Sequence, residues 1–287
     1  TVPIIYALWS SMASLLFICG ITWYACEIVY FNSQESYALY YWVLLLAVLP
    51  FYYLEFFRRN NKSNFFYFHS WLLVLSVTVC LGVFVDGNGE LMMLGYMSLF
   101  SSFVTLSQLK AFETNRVLSN AYLVIGSLGI MLLLLALSFD WYWNELSGSS
   151  SKNIFAVVEL PVAVVLTVAA GILLATLIRA EGMKDLNSKS FAFILFVLLF
   201  FLGIQSPKTS QLFVNLIILG FAVNTIRSGA RRNHLGILNY GLLIITALVL
   251  CRFFDTDFSF VVRGLLFIAV GVGFFAANFY MIQQRKK

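Results

Sequence analysis

The stretch VVELPVAVVLTVAAGILLATLIRA, Val157 to Ala180, carries one acid near its start, one arginine near its end and almost nothing else that is polar. A helix needs about 20 mostly apolar residues to cross a bilayer, so this stretch predicts a membrane span. The same pattern recurs on either side of it. Ten candidate spans cover approximately 3–30, 37–57, 65–85, 91–109, 117–139, 154–179, 190–205, 210–226, 235–252 and 258–282. The seventh and eighth are short, and QSPKTS divides them at Pro207. Reading these two as one would give nine spans.

The composition agrees. The 287 residues are 61% hydrophobic and 11% charged, with a mean hydropathy of +0.90. Soluble domains run at about 45–50% apolar and about 25% charged. The predicted fold class is therefore all-α, a polytopic membrane bundle forming one transmembrane domain over 1–287. The net charge of +5 belongs to loops flanking spans, so no nucleic-acid partner is expected. The expected partners are the bilayer, a small solute and other membrane proteins. Cys19, Cys26, Cys80 and Cys251 lie in or beside apolar runs without a CxxC pair, which suits free cysteines used as small hydrophobes. No metal and no cofactor are expected. The chain begins at Thr1 without a basic segment, so no signal peptide is read, and such a start points to further sequence upstream.

Orientation follows from the basic residues, because Lys and Arg gather in cytoplasmic loops. Alternate loops and the tail hold fourteen of the eighteen: Arg58, Arg59 and Lys62; Lys110 and Arg116; Arg179, Lys184 and Lys189; Arg227, Arg231 and Arg232; and Arg285 to Lys287. The opposite side holds Lys152, Lys208 and Arg252, with Asp86, Asp140 and Asp255 among its acids, while Arg263 falls inside a span. Both termini are expected in the cytoplasm. Trp141, Tyr142 and Trp143 open the longest loop and suit an interfacial belt.

Ionisable residues inside a membrane are costly and so mark candidate sites. Glu159 is the first. Ala163, Thr167, Gly171 and Ala175 follow it at four-residue steps, a small-residue pattern that lets helices approach closely. Glu159 is either a helix cap beside Pro161 or a functional carboxylate. Arg263 lies about five residues into the last span, roughly 8 Å deep, and needs an anion. Glu159 and Glu27 fall at the same level, so Arg263 is expected to pair with Glu159 or to share a small network with Glu159, Glu27 and Asp255. Arg252 fits the last turn of the ninth span, where a cation complements the helix dipole. Glu55 precedes Arg59 by four residues, as an interfacial pair would. His69 and His234 sit near cytoplasmic helix ends, and no lysine is placed deep in a span.

Two spans carry polar faces: Ser98, Ser102 and Thr105, followed by Gln108, in the fourth, and Gln211 and Asn215 in the eighth. Such seams either glue helices together or line a hydrated path. The last span places Gly264 and Gly271 seven apart and Ala269, Gly273 and Ala277 four apart, which predicts a tightly packed central helix.

The chain closes on Arg252, Phe253, Phe254 and Asp255, then Arg263 and Gly264, then the basic tail Arg285 to Lys287. Over roughly the last 60 residues the chain resembles an uncharacterised family of bacterial polytopic inner-membrane proteins. The resemblance implies a multi-pass protein of the bacterial inner membrane and supplies no activity. The polar residues in the spans point to a transporter or permease for a small solute, proton-coupled through Glu159, and not to an enzyme. A non-transporting membrane subunit or scaffold would have the same short loops and small-residue seams.

Overall fold

The computed structural model describes residues 2–28, 35–58, 63–85, 89–109, 112, 119–149, 159–182 and 186–253, then 259, 261, 264–265, 268–269, 271–273, 275–276 and 279. Among the described residues the chain is helical, with no strand. Its α-helices are α1 (Val2–Leu8), α2 (Ser11–Cys26), α3 (Glu35–Arg58), α4 (Asn64–Cys80), α5 (Gly89–Leu106), α6 (Ala121–Leu137), α7 (Trp141–Ser149), α8 (Glu159–Glu181), α9 (Ala192–Gln205), α10 (Pro207–Arg231) and α11 (Leu235–Phe253). Six helical stretches are long and apolar enough to cross a membrane: Asn64–Phe84, Gly89–Leu106, Glu159–Ala180, Ser188–Gln205, Pro207–Arg231 and Leu235–Arg252. Ala121–Leu137 with Trp141–Gly148 makes a seventh, bent by 74°, and Ser11–Cys26 and Leu39–Glu55 are shorter apolar helices. Several long apolar helices are what a multi-pass membrane protein requires.

The helix ends have local causes. The first apolar run breaks at Trp9, which takes a left-handed φ of 46°. Ser10 then caps α2, its hydroxyl accepting from Ala13 N at 3.3 Å. An unbroken first span over 3–30 is thereby corrected, since a serine that caps a helix leaves the helical backbone. Gly182, at φ 78°, ends α8, the usual role of a left-handed glycine. Pro207 stands in the first turn of α10, as the QSPKTS break predicts.

Two compact units are present. The first joins residues 1–130 and 152–196, the second 131–151 and 197–287. In the first unit, α2 and α4 both run antiparallel to α3. Ser11 meets Glu55 and Ile18 packs with Val48 and Phe51, while Tyr52 meets Ser70 and Tyr41 meets Ser76. The hydroxyls between them form directed chains. Thr22 donates to Ile18 O at 2.7 Å, so Ser76 donates to Thr22 and Tyr41 to Ser76, each at 2.6 Å. Likewise Ser70 donates to Phe66 O, so Tyr52 donates to Ser70 and Tyr122 to Tyr52.

In the second unit α10 packs along α11. A Cβ built on Gly229 would fall 2.4 Å from Leu238 N, so only glycine fits. Residues 141–149, expected as a loop, form α7. Tyr142 and Trp143 are fully buried, and the Trp143 indole donates to Leu137 O at 2.8 Å. A Cβ on Gly203 would strike that ring at 2.5 Å. Only Trp141, 47% exposed, keeps the place of an interfacial aromatic. The packing expected of the last span is not seen at its described glycines. Among the described residues a Cβ on Gly264, Gly271 or Gly273 would meet nothing within 4 Å, and Val261, Leu265 and Val272 are exposed.

Candidate functional site: a polar seam along one helix

Glu159 is completely buried at the head of α8. From there α8 runs parallel to α5: Gly95 lies against Ala163 and Leu166, and one turn further Ser98 lies 2.9 Å from the Thr167 hydroxyl. The packed face of α8 is Ala163, Ala170, Leu174 and Leu177, all under 5% exposed. This corrects the four-residue stripe. Ala175 is exposed and Gly171 has open space beside its Cβ position. A helix turns about 100° per residue, so each step of four overshoots by about 40° and the stripe leaves the contact after Thr167.

The polar face of α5 continues beyond Ser98. Ser102 donates to Ser98 O and Thr105 to Ser101 O, both at 2.8 Å. Ser101 Oγ accepts from Phe193 N. Ser98, Ser101, Ser102 and Thr105 are all buried. Gln108 closes the seam, donating to Ser190 Oγ at 2.8 Å and accepting from Asn187 N at 2.6 Å. Eight residues separate Glu159 from Thr167, and ten separate Ser98 from Gln108. At 1.5 Å per residue the line from Glu159 to Gln108 is about 27 Å long; its first part, past Ala163 and Gly95, is apolar, and the polar seam proper from Ser98 to Gln108 is about 15 Å.

Sequence reasoning left Lys189 in a loop. The structure buries it to 5% exposure in the 3-10 turn Ser188–Phe191, its ammonium donating to Ser127 of α6 at 2.5 Å. A lysine one residue before an apolar run reads as loop charge, and nothing in the sequence shows it folding back beside α6.

The other candidates are dispersed. Arg252, in the last turn of α11, donates to Ser138 O and to Ser138 Oγ at 3.0 Å, with its guanidinium 5.3 Å from the Phe139 ring centre. Gln211 Nε2 also donates to Ser138 O, at 3.0 Å. Two donors thus serve a carbonyl just past the end of α6, where the helix dipole is negative. Asn215 donates to Gln211 O at 2.9 Å, and its buried Oδ1 has no hydrogen-bond partner among the described residues. Glu27 is exposed at the end of α2. Arg263 and Asp255 lie outside the described residues.

Glu55 has a setting that its i,i+4 spacing did not suggest. It is 4% exposed and accepts from Trp9 Nε1 and Ser11 Oγ, both at 3.2 Å. His69 is 1% exposed, whereas His234 is exposed and accepts from Ile237 N at the start of α11. Cys80 is buried but Cys19 is exposed, and all four cysteines are free. Among the described residues no three His, Cys, Asp or Glu side chains gather as metal ligands would. No protein family model matches the chain, and no characterised protein or solved structure does.

Proposed function

We propose that this chain is a bacterial inner-membrane transporter or permease for a small solute, with ten spans and both termini in the cytoplasm. The observation that carries the reading is the α5 seam. A fully buried carboxylate heads α8, and beyond an apolar turn at Ala163 the hydroxyls of Thr167 and Ser98 to Thr105, then the Gln108 amide, continue the line for about 15 Å. A serine or threonine that donates to its own helix keeps lone pairs to accept from a passing donor. Glu159 serves as the titrating group, exchanging a proton as solute moves. The charge count supports a cytoplasmic placement of the basic loops.

The test uses the purified chain in liposomes adsorbed on a solid-supported membrane. Amino acids, sugars, nucleosides and organic acids are applied as concentration jumps. At least one class is expected to give a transient current that Glu159→Gln abolishes while the variant still elutes as wild type does. Silence across all four classes, together with stoichiometric co-purification of another membrane protein, would replace transport with the role of a non-transporting subunit.

A further inference from the structure

We propose that Glu55, His69 and Ser14 form a second, buried proton-binding site beside the break between α1 and α2. It rests on the transport reading for its purpose, though not for its chemistry. His69 Nδ1 lies 2.7 Å from Phe65 O. A carbonyl only accepts, so Nδ1 carries a hydrogen and, in the neutral ring, Nε2 is a bare lone pair. Among the described residues that buried Nε2 has no hydrogen-bond partner, and neither has Ser14 Oγ. Buried polar atoms are nearly always paired, so two orphans at one level mark a place where something binds.

Register puts them at one level. α2 and α4 run parallel, and Thr22 faces Ser76. Eight residues back along α2 is Ser14, and seven back along α4 is His69. Phe51, one turn before Glu55 on α3, brings the third group to the same layer. Its ring lies 5.3 Å from Trp9, which bonds Glu55, and 6.4 Å from His69. Broken helices in membrane transporters place freed backbone and ionisable groups together at coupling sites. Here the break at Trp9 delivers its indole and Ser11 to Glu55.

The chemistry balances simply. A proton from solution bonds to the Nε2 lone pair, the ring becomes an imidazolium, and the carboxylate beside it holds the opposite charge. Ser14 Oγ offers a lone pair to the new N–H. Among the described side chains, the other titratable groups on the packed elements near this level are Tyr52 of α3, engaged with Ser70 and Tyr122, Tyr6 of α1, which donates to Ala47 O, the exposed Tyr53 of α3 and the half-buried Tyr67 of α4.

The chain has two histidines, so His234→Gln leaves His69 as the sole source of imidazole signals in ¹⁵N-histidine-labelled protein in lipid nanodiscs. At alkaline pH the Nδ1-protonated neutral ring is expected, converting to imidazolium as the pH falls. Glu55→Gln should cut the imidazolium fraction at a fixed pH by about tenfold, the effect of removing one nearby opposite charge. If that variant does not fold, Glu55→Asp should cut it less and in the same direction. An Nε2-protonated ring, or a spectrum that neither substitution changes, overturns the site. A responsive His69 in a chain that moves no solute refutes transport and keeps the site. A silent His69 in a chain that moves solute does the reverse.

Discussion

Ser98 donates its hydroxyl hydrogen to Thr167 across 2.9 Å, because Thr167 has already given its own to Ala163 O at 2.7 Å. One hydrogen bond between side chains thereby sets the register of α5 on α8. Thr167→Val keeps the shape and removes the acceptor. It should lower stability by about 0.6 kcal/mol, the average for such bonds in membranes, as read from unfolding in mixed detergent micelles.

Gly229 and Gly171 should respond oppositely to alanine. The first faces the Leu238 backbone and the second faces open space. Gly229→Ala should cost about 1–3 kcal/mol through overpacking, and Gly171→Ala should gain about 0.5–1 kcal/mol of helix stability. Paired unfolding midpoints measure both. Equal effects would contradict the packed face of α8.

Trp143→Phe removes the donor to Leu137 O and leaves that buried carbonyl to find another partner. A loss of about 1 kcal/mol is expected, together with a change in near-ultraviolet circular dichroism. Trp141→Phe, at an exposed position, should do neither.

Orientation is open to cysteine labelling in a background with the four native cysteines replaced. An impermeant maleimide added outside intact cells should modify a cysteine at Ser149 and spare one at Asn61. The reverse pattern would invert the charge-based topology.

The apolar blocks were legible because hydrocarbon demands length, and length is visible in one dimension. Pro207 was legible because its break is local. Arg59, the partner that spacing offers Glu55, lies outside the described residues; what the sequence could not show is the pair Trp9 and Ser11, which lie 46 and 44 residues away. The stripe from Ala163 was half legible: spacing shows which residues are small, but helical rotation decides how far a small face stays in contact. Lys189 and α7 were missed for a related reason. A lysine beside a span and a Ser-rich stretch both resemble loops until a neighbouring helix gives them something to bond or bury.

The two units are interleaved along the chain, since the first needs residues 152–196 after the second has contributed 131–151. During synthesis α5 therefore emerges long before α8, the helix that meets its Ser98 hydroxyl. For the time it takes to make some fifty residues, Ser98 must wait among lipids or provisional neighbours. A nascent chain stalled before Glu159 would present that unfinished face to the membrane's insertion and quality-control machinery. The late arrival of α8 makes it the step at which a ribosome's product becomes a settled one.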